Sequence, residues 1–277
     1  MIGRDDPRLK DRDAIARKLA AAARAASVAL LQKRAAYEVR LKTDGSPVCS
    51  ADLAADLAAK AALERLAPGI PVVSEETVET VQPGPVFILL DPLDGTREFI
   101  AGGDNYCVAI AVVVDGRPIA GAIAAPALGR LWFAGEHAYA QGFGMGGAPV
   151  GRARLVHVRE VPDAGPRLLV SRFHGDGRSD GIAASLCSMQ GVPVSSAIKF
   201  GLLAEGEADL HVRCGQTMEW DIAAGDAILS AAGGVVLTLD GAVPRYGVVE
   251  RQFRNPPFVA ASSEALARRA IAGDAAA

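Results

Sequence analysis

Val86-Phe-Ile-Leu-Leu90 runs without a break into Asp91-Pro-Leu-Asp-Gly-Thr96, and this junction constrains the chain more than any other stretch. Five successive apolar residues read as a strand buried on both faces. Two acids three apart at the carboxyl end of such a strand are well placed for a metal. Pro92 fixes the backbone of the turn, and Gly95 permits a tight bend. A short helix is expected from about Gly95, with Asp94 near its cap. Its amides would face whatever lies in front of the carboxylates, and a phosphate is the natural occupant of that position. A plain turn, with Asp94-Gly95 as turn chemistry and Asp91 as a strand-end cap, accounts for the same residues taken alone.

Upstream, apolar residues at Ile15, Leu19, Ala22, Ala26 and Leu30 predict an amphipathic helix over 11–41, ended by the turn at Thr43-Asp-Gly-Ser-Pro47. A second helix is expected from Ser50–Asp52 to Pro68-Gly69, then a strand at 71–73. Strands over 108–114 and 118–125 flank Asp115-Gly116, a strong hairpin signal, and a further arm lies at 131–134. The glycine-rich tract 142–151 reads as a surface loop and a boundary, giving an α+β lobe over 1–150 and an α/β lobe over 151–277 that share one interface. The second lobe alternates strand 167–171, helix 181–189, a strand, helix 198–205, strand 208–212, helix 221–232 and strand 235–239, a pattern of the α/β class.

Other acids fall at strand ends and helix starts, where open α/β architectures assemble sites. Ser74-Glu75-Glu76 follows a strand. Asp221, in Glu219-Trp-Asp221, precedes a small-residue helix that it would cap, and Asp52 sits at a helix start with the same explanation. Several carboxylates brought together cannot all stay ionised without cations, and Mg²⁺ suits a site that also takes water and substrate phosphate.

Composition narrows the class. Of 277 residues half are hydrophobic, enough for a sizeable core, which excludes intrinsic disorder. With 29 basic and 32 acidic residues the net charge is −3, so nothing in the charge argues for a nucleic-acid polymer or an anionic membrane. No apolar run reaches the roughly 20 residues of a membrane span, and no secretory signal is visible, so a cytoplasmic location is expected. Cys49, Cys107, Cys187 and Cys214 form no C-x-x-C pair and read as four buried or idle thiols.

Asp91-Pro-Leu-Asp-Gly-Thr96, Ser74-Glu75-Glu76 and Trp220-Asp221-x-Ala-Ala-Gly225, in this order, resemble the inositol monophosphatase superfamily over about residues 42–259. Within it the chain is most similar to the bacterial 3′(2′),5′-bisphosphate nucleotidases. Asp44-Gly-Ser-Pro-Val48 with Ala51-Asp52, Asp91 through Ile100, Ser196-Ala-Ile-Lys199, Ala204 through Leu210, Thr217 through Asp221 and Asn255-Pro-Pro-Phe-Val-Ala260 carry that likeness. The resemblance implies a layered αβαβα sandwich and a Mg²⁺-dependent phosphatase with two or three ions per site, Mn²⁺ being a substitute. It implies Glu75, Asp91 and the Leu93 carbonyl for a first metal, Asp91, Asp94 and Asp221 for a second, and Glu75 through water for a third. Asp52 and Thr96 would orient and deprotonate the attacking water, and the Gly95 and Thr96 amides would bind the scissile phosphate.

The implied substrate is a small phosphate ester, 3′-phosphoadenosine 5′-phosphate, cleaved to AMP and phosphate by a monomer or a homodimer. An inositol or sugar monophosphatase of the same fold is the alternative, and a non-catalytic binder of metal or nucleotide is a third. A bisphosphate needs a second anion site, for which Lys199 and Arg213 are candidates, with His174 and Ser196 helping. Cys49 stands where the family commonly has threonine, and Cys107 and Ala109 where threonine and asparagine are often found. Neither cysteine is expected to touch a proposed ligand.

Overall fold

A computed structural model describes residues 3–41, 47–80, 83–173, 175–186 and 191–274. Asp11 caps α1 (Arg12–Lys33) by accepting the Ala14 N–H at 2.8 Å, and the helix buries Ile15, Leu19, Ala22, Ala26 and Leu30 along one face. It stops short of residue 41. The chain instead forms an antiparallel ribbon of β1 (Val39–Leu41) and β2 (Pro47–Cys49), closed by the Ser50 N–H on the Glu38 carbonyl. The turn expected at 43–47 falls mostly outside the described residues. Helix α2 (Ser50–Leu66) starts and stops where expected, ahead of Pro68-Gly69.

Strand β3 (Val72–Ser74) runs parallel to β4 (Val86–Asp94), and α3 (Thr96–Ile100) follows β4 across Gly95. Next come β5 (Cys107–Val114) and β6 (Arg117–Ala125). Both turn residues between them have positive φ, 48° at Asp115 and 78° at Gly116, as a tight hairpin requires. β7 (Arg130–Ala134), β8 (Ala138–Phe143) and β9 (Pro149–Leu155) complete a seven-stranded sheet in the order β3-β4-β5-β6-β7-β8-β9. The tract 142–151 is therefore a hairpin rather than a loop. Only its middle turns, through the Gly144 N–H on the Ala148 carbonyl, and β9 runs across residue 150. Every residue of β9 is exposed, so it carries no apolar alternation by which to read it as a strand.

The rest of the chain is β10 (Leu168–Val170), α4 (Gly177–Leu186), β11 (Val192–Pro193), α5 (Ile198–Ala204), β12 (Leu210–Arg213), α6 (Glu219–Ala231), β13 (Val235–Thr238), β14 (Phe258–Ala261) and α7 (Glu264–Asp274). The last strand and helix lie beyond the elements expected from the sequence. β14 pairs antiparallel with both β12 and β13 and completes a second sheet, β11-β10-β12-β14-β13.

Strand β4 shows how the layers form. Ile88 and Leu90 pack with α1 and α2, whereas Phe87 and Leu89 point the other way, into a core shared with α5, α6 and the near face of the second sheet. The far face of that sheet, with Leu210, Val212, Val259 and Ala261, packs against α4 and α7. The architecture is a five-layer αβαβα sandwich. Helix α6 lies in its middle because its residues are small. A Cβ at Gly225 would come within 2.2 Å of the Phe200 ring, and one at Gly121 within 2.6 Å of the Ala224 carbonyl. Among the described residues no helix is long and apolar enough to cross a membrane.

Candidate active site

The site begins with a fault in the sheet. Asp91 pairs with Ala109 and Asp94 with Cys107, so three steps along β4 match two along β5. Side chains three apart on a regular strand point to opposite faces. The extra residue of this bulge turns both acids to one side. Their partners Ala109 and Cys107 both face the core shared with α5 and α6. Pro92, which cannot continue a ladder, lies inside the bulge.

Local bonds then fix each group. Asp91 Oδ1 accepts the Leu93 N–H at 3.0 Å. Gly95, at φ 95°, turns the chain into α3 and is its N-cap. Asp94 does not cap that helix, because the left-handed turn at Gly95 leaves it behind; it accepts the Ala197 N–H and the thiol of Cys107 at 3.8 Å. Ser196, at φ 62°, bends the chain so that this amide faces the carboxylate. Helix α3 is braced from α1, where Arg34 donates to the carbonyls of Phe99 and Gly103, at 2.7 Å each, and lies over the Phe99 ring.

Asp52 is the third residue of α2, not its cap. Its Oδ2 accepts the N–H of Cys49 at 2.9 Å and the thiol of Cys49 at 2.8 Å, and its Oδ1 accepts the Thr96 hydroxyl at 3.1 Å. Asp221 occupies the same place in α6, three residues after Met218, whose N–H it accepts at 2.7 Å. Asn255 and Glu219 fix the entry to that helix, Asn255 by donating to the Met218 carbonyl and Glu219 by accepting the amides of Gly247 and Val248. Glu75 follows Ser74, whose hydroxyl donates to Asp56, and Asp56 is paired to Lys60 at 2.6 Å.

One cavity of about 210 Å³ gathers Glu75, Asp91, Leu93, Asp94, Gly95, Thr96, Ser196, Lys199 and Asp221. Asp52 stands behind Thr96. Arg213 is not on this wall. It lines a neighbouring cavity with Asp176 and donates to the Gln216 carbonyl at 3.3 Å. Lys199 is buried, and two of its N–H bonds go to the carbonyls of Val194 at 3.1 Å and Ser196 at 2.8 Å. His174 and Cys187 lie outside the described residues. Sequence reasoning missed Glu98, Arg172, Phe173 and Ser195, which also line the cavity. Glu98 is buried, paired to Arg172 at 2.9 Å and bonded by the Ser195 hydroxyl at 2.9 Å. Its position in Thr96-Arg-Glu-Phe99 was the available signal.

The electrostatics are those of acids pressed together. Burial, then the charges of Glu75, Asp94 and Asp221, hold Asp91 well above the usual carboxylate range. Burial pushes Asp94 up to about 6 against the pull of Lys199, and burial and Asp94 together raise Asp221. Burial likewise brings Lys199 down to about 8. Contrary to expectation, the thiol of Cys107 touches a proposed ligand, Asp94, and that of Cys49 touches Asp52, because the fold turns both side chains toward the site. Burial and the Asp52 carboxylate push the Cys49 thiol up to about 12, so it remains a hydrogen-bond donor to Asp52. We expect Cys49→Ala to lower kcat several-fold with little change in KM, the loss of roughly 1 kcal/mol of hydrogen bonding, and Cys49→Thr to restore it. Steady-state kinetics of the two variants checks this, and an unchanged kcat in the alanine variant removes Cys49 from any role in holding Asp52.

The sequence pattern of the inositol monophosphatase family matches residues 9–274. The chain belongs to this family. Among relatives of the inositol monophosphatase family, the 3′(2′),5′-bisphosphate nucleotidase CysQ of Shigella flexneri is 37% identical over 225 residues, 80% of this chain and 87% of that protein. The protein of the same name from Haemophilus influenzae is 30% identical over 244 residues, 84% of this chain and 87% of its own length. The crystal structure of CysQ from Bacteroides thetaiotaomicron, a bacterial member of the family, superposes with a TM-score of 0.77 at 30% identity, covering 91% of this chain and 98% of that one. An inositol monophosphatase from Zymomonas mobilis shares the fold, with a TM-score of 0.73 at 21% identity over 96% of this chain and 99% of that one.

Proposed function

We propose that this chain is a metal-dependent phosphatase that hydrolyses a 3′(2′),5′-bisphosphate nucleotide, 3′-phosphoadenosine 5′-phosphate, to AMP and phosphate. The observation that supports it best is the single cavity holding Glu75, Asp91, Asp94 and Asp221 beside a hydroxyl, Thr96, that is bonded to a further carboxylate, Asp52. The donor set fits a hard divalent cation, being carboxylates and one carbonyl with no imidazole. Mg²⁺ suits such a set, because it completes its shell with water and substrate phosphate.

Glu75, Asp91 and the Leu93 carbonyl would hold one ion, Asp91, Asp94 and Asp221 a second, and Glu75, through water, a third. Cations held there would polarise the phosphate and lower the pKa of a bound water. The Thr96 hydroxyl has two acceptors, Asp52 Oδ1 and the Leu93 carbonyl, each at 3.1 Å. When its one proton points to Asp52, its lone pairs are open to the attacking water, whose proton can then pass toward Asp52. The Gly95 and Thr96 amides would orient the reacting phosphate. Ser196 lines the same cavity, and Lys199 offsets the charge of Asp94.

A panel of phosphate monoesters assayed with Mg²⁺ tests the reading. Phosphate release from 3′-phosphoadenosine 5′-phosphate is expected to exceed that from inositol 1-phosphate by at least ~10-fold in kcat/KM, the scale of one well-placed charged contact. The reverse preference would make the chain an inositol or sugar monophosphatase, and release from none of them would make it a binder.

A further inference from the structure

One buried carboxylate on the cavity wall has no part in the scheme above. Glu98 is the third residue of α3 and is 1% exposed. An acid in the first turn of a helix is ordinarily explained by that helix's own amides. Both oxygens of Glu98 go elsewhere. Oε1 accepts Arg172, 74 positions away, at 2.9 Å, and Oε2 accepts the Ser195 hydroxyl, 97 positions away, at 2.9 Å. Arg172 follows β10 and Ser195 follows β11, which are neighbours in the second sheet. Glu98 therefore ties the helix that follows β4 of the first sheet to two adjacent segments of the second. The fold leaves room for it. A Cβ at Gly103 would come within 2.0 Å of Glu98 Oε1, and Gly103 has no positive φ that would itself require glycine.

The segment that Glu98 grips belongs to the site. Ser196 comes next, at φ 62°, and the Ala197 N–H is donated to Asp94. Lys199 holds the same stretch through the carbonyls of Val194 and Ser196. Asp94 is thus aimed by an amide 103 positions away, whose place depends on how residues 194–197 are held.

Resting on the phosphatase reading above, we propose that Glu98 is a positioning residue for the reaction. Through Ser195 it sets the Ala197 amide that aims Asp94, and so fixes what the second sheet contributes to the cavity against what the first contributes. A buried ion pair adds little net stability over an apolar substitute, so its effect here lies in arrangement.

The test uses Ser195→Ala, Glu98→Ala, their double variant, Glu98→Gln and Gly103→Ala, with 3′-phosphoadenosine 5′-phosphate and Mg²⁺. Ser195→Ala and Glu98→Ala are each expected to lower kcat about 10-fold with KM little changed, the scale of a slight misplacement of reacting groups. Gly103→Ala, which crowds the carboxylate out of its place, should do the same. Glu98→Gln should retain most of the rate, since its oxygen can accept from Arg172 while its amide donates to the Ser195 hydroxyl. The double variant should lose little more than either single one, because the two act in series. Calorimetric titration with Mg²⁺ alone should show binding weakened several-fold in Ser195→Ala. A Ser195→Ala protein with a lowered thermal midpoint but unchanged kcat and Mg²⁺ affinity would overturn the proposal, leaving Glu98 a structural role only. A double variant that loses the product of the single effects would overturn it too. If the wild type releases phosphate from no ester, the proposed function fails on its own. The positioning role then stands if Ser195→Ala weakens Mg²⁺ binding, and falls if it does not.

Discussion

Asp91→Asn is expected to release phosphate at least ~10²-fold more slowly than the wild type, in line with the loss of one preorganised group that stabilises transition-state charge. Asp91 is the acid proposed for both of the main metals, and it is buried where the bulge aims it at Glu75, Asp94 and Asp221. The variant keeps an amide oxygen for the Leu93 N–H, so the turn should persist. It also removes a buried charge that three neighbouring carboxylates repel. Its thermal midpoint measured in chelator should therefore rise above that of the wild type, while the gain on adding Mg²⁺ should shrink. Chelation of the wild type should abolish turnover as completely. Turnover near normal in Asp91→Asn would remove Asp91 from the site, and a lowered midpoint in chelator would show that its carboxylate is not under strain.

Asp52→Asn and Thr96→Val should each cost about 10²-fold in kcat, the usual range for a positioned general base. Among the described residues Asp52 is bonded to the cavity lining only through Thr96, at 3.1 Å, and its other oxygen is taken by Cys49. The two residues therefore act as a unit. Removing both should cost little more than removing either, because groups working in series are strongly non-additive. Steady-state kcat for the two single variants and the double variant checks this. A double variant that loses the product of the two single effects would show that they act separately.

Much of this was legible because local chemistry and tertiary role coincide. The apolar run before Asp91 reads as a strand buried on both faces, and Asp115-Gly116 is a strong hairpin signal. Asp52 and Asp221 were visible as helix-start acids, although each sits at the third helical position and reaches back to a backbone amide. What stayed hidden depends on contacts between distant segments. The pairing of Glu98 with Arg172 spans 74 positions and leaves no local trace. The thiol of Cys49 looked like a bystander because only the fold shows it facing Asp52. Lys199 stood in a recognisable stretch, but the direction of its side chain is decided by the carbonyls of Val194 and Ser196. β9 escaped notice because an edge strand exposed along its length needs no periodic pattern.

The irregular pairing beside Pro92 carries a lesson about what this segment can tolerate over time. Leu93 is invoked for a main-chain carbonyl rather than for its side chain, so its identity is free to drift among residues that fit the neighbouring apolar core. The irregularity between the two aspartates is not free to drift. An even ladder over the same residues would set acids three apart on opposite faces and swing Asp94 toward α1 and α2, with every catalytic residue still present in the gene. A homologue that keeps each acid at this spacing but loses the extra residue of the pairing should be read as inactive, whatever its percentage identity.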